Sequence, residues 1–282
     1  MSEPQVFFLD SSQGPGQRFC IFHPADPRSG PERGRVLHIH PFAEEMNKSR
    51  RMAALQARQM AAAGFAVLQI DLFGCGDSAG DFGEAGWQDW LADLRQAKSC
   101  LDSKCGGASP LWLWGQRVGC LLASELAQQM GDEACNFLFW QPPANGRLLL
   151  QQFLRLKLAG SLLEGNAAAA MEALKAQMAA GEVVEIAGYG LSPALAAGLE
   201  KATLTPPAGG SGRALFFELA SQAGDEVSPA LASSAQRWQA AGLRVQTQRI
   251  QGPSFWQTSE IEDAPALLSA SLQALLMEGA PA

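Results

Sequence analysis

The chain reads PLWLWGQRVGCLLASELAQQMG over residues 110–131. A short apolar and aromatic run breaks at Gly115, and beyond Gly119 apolar residues recur at helical spacing. Glycine permits the tight turn that such a change of pattern requires. The stretch therefore predicts a buried strand, a sharp turn and a helix.

Gly115 and Gly119 flank three residues, which is the spacing of a nucleophile elbow. The central residue of that motif should be serine, cysteine or aspartate, because it attacks the substrate. Here it is Arg117, whose guanidinium stays protonated in proteins and cannot attack a carbonyl carbon. The sequence predicts the scaffold of an acyl-transfer site without its nucleophile.

Composition is typical of a compact globular protein. The chain has 282 residues, of which 47% are hydrophobic and 17% charged, enough for one large domain with a sizeable core. The net charge of -7 argues against a general surface for nucleic acid or anionic membranes. Its 6 cysteines show no paired CxxC spacing, and no segment resembles a signal peptide or a membrane span. We predict a cytoplasmic protein with reduced thiols and without a metal or cofactor.

Strand-like and helix-like segments alternate along most of the chain. After an N-terminal hairpin, strands are predicted near residues 35–40, 66–71 and 136–141, with helices between them. This alternation predicts an α/β fold with a mainly parallel central sheet and helices on both faces. Residues 142–207 interrupt the alternation with alanine- and leucine-rich segments of helical spacing. We therefore predict a core formed by residues 1–141 and 208–282, with an inserted helical cap at 142–207.

Several motifs resemble the α/β-hydrolase superfamily, and the resemblance covers nearly the whole chain. They are the strand-ending HPF of residues 40–42, the loop DLFGCGDS of residues 71–78, and the elbow. More narrowly, HPFAEEMNKSRR (40–51) and QIDLFGCGDS (69–78) are similar to the type 2 hydrolase associated with exosortase A systems. That family is encoded beside bacterial exopolysaccharide and protein-sorting loci. The resemblance implies an α/β-hydrolase fold and a possible partner among exopolysaccharide-system proteins.

The superfamily's catalytic triad matches this chain at one of its three positions. The nucleophile position falls on Arg117, and the acid position, after a late strand, falls on Asp225. The base should be a histidine in the last loop, GPSFWQ (252–257), but that loop contains none. The only histidines of the chain are His23, His38 and His40. The resemblance therefore implies that the proton relay of a Ser-His-Asp triad is absent.

A rearranged site around His40 is an alternative. In this fold His40 ends its strand beside the elbow. There its imidazole could act as the general base for a nucleophile, which would be Cys75, Ser78 or Ser254. The competing interpretation is that His40 braces its loop, Cys75 fills apolar space and Ser78 caps a turn. The catalytic interpretation requires His40 to lie within hydrogen-bond reach of one of these nucleophiles, because a base must take the proton directly. The structural interpretation does not require this contact.

Arg117 requires an anion nearby. A cation before a helix opposes the positive end of the helix dipole, which costs about 0.3–1 kcal/mol when exposed. The candidates within the chain are Asp225, Glu44 and Glu45. A ligand carboxylate or phosphate is the alternative, since buried charges are tolerated only when paired.

The candidates for ligand binding surround the elbow, the strand-ending loop and the last loop. They are Phe42, Glu44, Glu45, Asn47, Gln116, Arg117, Val118 and Trp256. The leading hypothesis is a protein that binds a small acyl-bearing or anionic molecule and has lost triad chemistry. The alternatives are a hydrolase of esters, thioesters or amides that uses His40 with Asp225, and an interaction module that works through the cap surface.

Overall fold

The computed structural model describes residues 3–12, 14–163 and 167–277. The strands are β1 (Gln5–Asp10), β2 (Gln17–His23), β3 (Gly34–Ile39), β4 (Phe65–Ile70), β5 (Leu111–Gln116), β6 (Cys135–Trp140), β7 (Val184–Ile186), β8 (Tyr189–Leu191), β9 (Arg213–Ala220) and β10 (Arg244–Gln251). The helices are α1 (Glu44–Ala62), α2 (Trp87–Cys105), α3 (Val118–Gln129), α4 (Gly146–Leu163), α5 (Ala167–Ala179), α6 (Pro193–Lys201), α7 (Pro229–Ala240) and α8 (Pro265–Leu276). Residues 164–166 of the predicted cap lie outside the described residues.

The central sheet has eight strands in the order β1-β2-β4-β3-β5-β6-β9-β10. Strand β2 pairs antiparallel with β1 and β4, whereas every other pair of neighbours is parallel. The prediction of a mainly parallel sheet with an N-terminal hairpin at its edge is confirmed. Because β3 and β5 are central neighbours, the loops that follow them meet at one edge of the sheet.

Helices cover both faces of the sheet, as the alternating pattern predicted. On one face, α1 and α8 pack over buried strand residues that include Trp114 and Trp140. On the other face, α2, α3 and α7 pack over residues that include Phe137 and Phe139, with Trp238 of α7 fully buried. Each such large apolar side chain contributes roughly 1.5–3 kcal/mol by burial. The two cores hold the strand ends rigidly.

Residues 142–207 contain α4, α5, α6 and a separate two-stranded sheet of β7 and β8. Ala187 and Gly188 form the turn between these strands with φ of 48° and 85°, the positive values that a two-residue hairpin turn needs. Gly198 of α6 packs so closely on Trp87 that an added Cβ would lie 2.1 Å from that side chain. The segment is thus fixed to α2, although its exact limits as a cap stay a prediction.

The spacing of apolar residues predicts a β-like run at residues 183–189 and a last helix from near residue 261. The structure forms the β7–β8 hairpin from this run and the residues that follow it, and the last helix begins at Pro265. Ile261 is exposed, so it does not belong to the packed face of that helix. Within the described ranges, no helix is both long and apolar enough to cross a bilayer.

Candidate functional site

The turn between β5 and α3 has the geometry of a nucleophile elbow. Its central residue, Arg117, has φ of 53° and ψ of -118°, a backbone region that non-glycine residues rarely occupy. An added Cβ on Gly119 would lie 2.1 Å from the carbonyl oxygen of Ile39, and one on Gly115 would lie 2.7 Å from the backbone of Cys120. Both glycines are therefore needed for the close approach of strand and helix.

The Arg117 guanidinium is held by α1 and α4. Its Nη2 donates to Oε1 of Glu45 at 3.0 Å, and its Nε donates to both Glu45 carboxylate oxygens at 3.2 and 3.3 Å. Nη2 also donates to Oε1 of Gln152 at 3.3 Å. The guanidinium carbon lies 5.5 Å from the ring centre of Trp256, within the range of a cation–π contact.

The anion that was predicted beside Arg117 is therefore Glu45, one of the three candidates within the chain. The side chains of this ion pair are 10% and 18% exposed. Asp225 lies exposed in the loop after β9, and no hydrogen bond or ion pair joins it to another described residue. The structure thus gives no support to Asp225 as the partner of Arg117 or as the acid of a relay.

His40 has both ring nitrogens engaged by the backbone. Its Nδ1 lies 2.5 Å from the carbonyl oxygen of Pro41, and its Nε2 accepts a hydrogen bond from the Leu72 N–H at 3.1 Å. This pattern defines a neutral imidazole protonated at Nδ1. Burial lowers the pKa of His40 despite the nearby Asp71 carboxylate. The ring braces the loops after β3 and β4 and has no nitrogen left to accept a proton from a nucleophile.

Two of the three alternative nucleophiles, Ser78 and Cys75, are also occupied or inert. The Ser78 hydroxyl donates to the Asp71 carbonyl at 2.5 Å and accepts from the Phe19 N–H at 2.9 Å. Cys75 is buried, and burial raises the pKa of its thiol, so it stays a thiol. Ser254 lies in the last loop, which contributes Trp256 rather than a histidine. The geometry therefore does not assemble a rearranged catalytic site around His40.

A cavity of about 570 Å³ lies above Arg117, within the size range of small-ligand sites. Its apolar wall is formed by Phe42, Leu149, Phe153, Leu156 and Trp256. Its polar groups are Glu44, Glu45, Lys48, Arg117, Gln152 and Gln257. Two carboxylates thus face two cations. We call this cavity the elbow pocket.

Five predicted binding residues line the elbow pocket: Phe42, Glu44, Glu45, Arg117 and Trp256. The other three do not. Val118 is buried in the core, and Gln116 donates from Nε2 to the Ser49 hydroxyl at 2.8 Å, because strand alternation turns it toward α1. Asn47 donates to the hydroxyl of Tyr189 at 2.9 Å.

Sequence reasoning missed the contribution of α4 to the elbow pocket. The signal was the i, i+3, i+4, i+7 spacing on one helix face, which is shared by Leu149, Gln152, Phe153 and Leu156.

Tyr189 joins the β7–β8 hairpin to α1. Its hydroxyl donates to a Glu44 carboxylate oxygen at 3.0 Å and accepts from Asn47, while its ring packs edge-on against Phe82. Burial and the Glu44 carboxylate raise the pKa of Tyr189 to about 12, so the hydroxyl stays protonated and can donate. Ala187 of the same hairpin lines the elbow pocket. These contacts fix one rim of the pocket.

The backbone N–H groups of Val118 and Phe42 donate to no other group within the described part of the chain. In an elbow of this kind, the N–H after the central residue and one from the loop after the third strand bind the developing oxyanion.

No group of three or more histidine, cysteine, aspartate or glutamate side chains suited to a metal occurs in the described ranges.

Comparison with known proteins agrees with this geometry. A family model described as "Serine aminopeptidase, S33" matches residues 30–185, more than half of the chain. Among curated protein sequences, none is significantly similar to this one.

Solved structures share the fold at low identity. Est1E from Butyrivibrio proteoclasticus, bound to ferulic acid, superposes with a TM-score of 0.62 at 16% identity and covers 96% of this chain and 98% of its own. A soluble variant of monoglyceride lipase from Saccharomyces cerevisiae, in complex with a substrate analogue, gives 0.61 at 14% identity, covering 98% and 94%. An α/β serine hydrolase without lid from Xanthomonas campestris gives 0.58 at 16% identity, covering 99% and 98%. The predicted α/β-hydrolase fold is confirmed.

Proposed function

The chain belongs to the serine aminopeptidase S33 family of α/β-hydrolases, and within that family we propose that it is a ligand-binding protein without Ser-His-Asp catalysis. The single observation that carries this proposal is Arg117, which occupies the central position of an intact elbow. A guanidinium cannot act as the nucleophile. The three histidines lie at residues 23, 38 and 40, so none follows β10 to act as base.

The proposed ligand is a small acyl-bearing molecule with a carboxylate or carbonyl oxygen at its polar end. The apolar wall of Phe42, Phe153 and Leu156 suits an acyl chain. The Val118 N–H suits the polar end, as does Nη1 of Arg117, which donates to no described group. Arginine favours carboxylate oxygens because of its several fixed donors.

Glu45 sets the selectivity of this site. It already neutralises Arg117, so a ligand anion gains less Coulomb energy there than at an unpaired arginine. Binding therefore depends on burial of the acyl chain as well as on charge. We expect affinity to rise with chain length until the pocket is filled, by about 0.8 kcal/mol for each buried methylene.

Isothermal titration calorimetry with straight-chain carboxylates from butanoate to octanoate tests the proposal. Arg117→Met keeps a long side chain but removes the charge, and we expect it to weaken octanoate binding at least tenfold. Arg95→Met is the matched control, because Arg95 is exposed on α2 and bonds to Gln129. Equal binding by wild type and Arg117→Met, or no binding of any member of the series, would refute the proposal.

We further infer, from the stretches at residues 40–51 and 69–78, an association with exosortase A systems and a partner among exopolysaccharide proteins. The resemblance of these two motifs is its support. Pull-down of the tagged chain from its native cells tests the association. Recovery of proteins from an exopolysaccharide locus is the expected result, and recovery of none from such a locus would refute it.

Hydrolysis at a rearranged site around His40 is the weaker candidate. Its support is the family relationship alone, since both nitrogens of His40 are engaged by Pro41 and Leu72.

A further inference from the structure

The residues 142–207 hold a second cavity, on the far side of α4 from the elbow pocket. It measures about 580 Å³ and lies between α4, α5 and α6. The two cavities share no lining residue. We call the second cavity the cap groove.

Helix α4 forms a wall of both cavities. Leu149, Gln152, Phe153 and Leu156 line the elbow pocket, and Arg147, Leu150, Gln151, Leu154 and Arg155 line the cap groove. Each set follows the i, i+3, i+4, i+7 spacing of one helix face. Helix α4 therefore borders both cavities, while Leu149, Leu150, Phe153 and Leu154 also belong to the hydrophobic core.

The floor of the cap groove is apolar. Leu150 and Leu154 are buried, whereas Met171 and Met178 of α5 are half-buried and face the cavity. Methionine adapts its shape to different apolar groups and is common at surfaces that accept varied chains. This floor suits a flexible alkyl chain better than a rigid ring system.

The rim of the cap groove is cationic in a chain whose net charge is -7. Arg147, Arg155 and Lys175 line it against a single carboxylate, Glu200. No hydrogen bond or ion pair joins Arg147 or Arg155 to another described side chain. Lys175 pairs with Glu172 at 2.8 Å, but the two side chains are 57% and 73% exposed, so the pair contributes little and is readily exchanged.

The lengths of the two helices from their connection place Arg155 and Lys175 at about the same level of the groove. Helix α4 ends at Leu163 and α5 begins at Ala167, and two contacting helices with so short a connection run antiparallel. The two cations are equally far in sequence from the ends that this connection joins. Arg147 lies at the opposite end, next to Gly146, whose N–H bonds to Ala202 just after α6. Leu154, Met178 and Leu150 lie progressively farther from the connection than the two cations, whereas Met171 lies nearer to it.

We propose that the cap groove is a second ligand site, which binds a single-chain amphiphile with an anionic head. The head lies between Arg155 and Lys175, and the alkyl chain lies over Leu154, Met178 and Leu150. This site is separate from the elbow pocket and does not depend on the function proposed for Arg117.

Calorimetric titration of decanoate below its micelle concentration tests the proposal. We expect Arg155→Glu to weaken binding at the cap groove at least tenfold, in both the wild-type and the Arg117→Met background. Arg244→Glu is the matched control, because Arg244 is exposed on β10 in the hydrolase core, and it should bind as wild type does. Met178→Trp fills the groove without a change of charge, and we expect the same loss. Thermal unfolding of each variant establishes that it is folded.

Three further probes decide between related explanations. N-decanoyl-N-methylglucamine has the same chain with a neutral head, and acetate has the head without the chain; each should bind at least tenfold more weakly than decanoate. Undiminished decanoate binding by Arg155→Glu, or an equal loss in Arg244→Glu, would overturn the proposal. Binding to phosphatidylglycerol vesicles but not to decanoate would assign the rim to a membrane surface and would also overturn it. If decanoate binding were lost in Arg117→Met but kept in Arg155→Glu, all binding would lie in the elbow pocket. This result would refute the second site.

Discussion

Arg117 combines two unfavourable features at one position. Its backbone has φ of 53° and ψ of -118°, which costs a non-glycine residue about 1–3 kcal/mol. Its charge lies at the start of α3, where the helix dipole disfavours a cation. Glu45, Gln152 and Trp256 offset these costs by an ion pair, a hydrogen bond and a cation–π contact. The side-chain contacts and the backbone strain can be separated by substitution.

We predict that Arg117→Gly is more stable than Arg117→Ala by about 1 kcal/mol. Both substitutions remove the same side-chain contacts, but only glycine relieves the positive φ. Urea unfolding of the two variants measures the difference. If alanine were the more stable of the two, the strain at this position would not be real.

His38 predicts a dependence of stability on pH. Burial, with a smaller effect of His40 and Arg50, lowers the pKa of His38 to about 3, and its Nε2 has no partner within the described chain. The unfolded chain then binds a proton that the folded chain does not. The contribution of His38 to stability is complete above the unfolded pKa of about 6.5 and is lost progressively as the pH falls toward 3.

We predict that between pH 7.5 and 5.5 the wild type loses about 1.4 kcal/mol more unfolding free energy than His38→Phe. Phenylalanine keeps a ring beside Trp114, whose ring centre lies 4.2 Å from that of His38, but it cannot titrate. Denaturant unfolding at the two pH values provides the test. Parallel losses in the two proteins would show that His38 is not held neutral.

The partner of Arg117 shows what residue-level reasoning could and could not reach. The sequence restricted it to Asp225, Glu44 and Glu45, because a cation at a helix start needs an anion. It could not choose among them. Adjacent helix residues point about 100° apart, so Glu45 meets Arg117 while Glu44 meets Tyr189. That choice depends on the rotation of α1 relative to β5, which no local pattern encodes.

At the scale of elements, α1, α4 and the β7–β8 hairpin enclose the elbow pocket. The hairpin is tied to α1 by the Tyr189 hydroxyl, which contacts both Glu44 and Asn47. Hydrogen bonds of this kind contribute about 1 kcal/mol each, and more when one partner is charged. The rim of the pocket therefore depends on one phenolic oxygen.

We predict that Tyr189→Phe increases amide hydrogen exchange in residues 184–191 by about fivefold to tenfold, which corresponds to roughly 1 kcal/mol. The ring contact with Phe82 is kept, so only the hydroxyl contacts are lost. Amides of β5, in the centre of the sheet, serve as the internal reference and should not change. Unchanged exchange in the hairpin would show that other contacts hold this rim.

Sequence patterns predicted regular elements better than their contacts. Strands β3, β4 and β6 were predicted to within one residue at each end, because buried parallel strands are continuous apolar runs bounded by turn residues. The cap helices were also recognised from their spacing. Their arrangement was not, since an amphipathic pattern does not state which cavity each face borders. The double role of α4 follows only from tertiary packing.

We propose that the whole molecule retains the scaffold of an acyl-transfer enzyme without the reacting groups of a Ser-His-Asp triad. The parallel sheet was predicted from the alternation of strands and helices, and the elbow from the spacing of Gly115 and Gly119. The N–H groups of Val118 and Phe42 were not predicted. Fold and chemistry can separate because the scaffold is specified by glycines and core residues, whereas triad catalysis depends on three side chains. Here the central elbow position carries Arg117, and the loop after β10, which contains Trp256, has no histidine.

Hydrolysis by the purified wild type tests most directly whether triad chemistry is absent. The panel comprises p-nitrophenyl esters from acetate to octanoate, the matching acyl thioesters and aminoacyl anilides, because the family model is described as a serine aminopeptidase and a monoglyceride lipase shares the fold. We predict no turnover above that of Leu149→Trp, a variant in which a larger side chain fills the elbow pocket. Turnover by the wild type that Leu149→Trp abolishes would contradict the loss of catalysis.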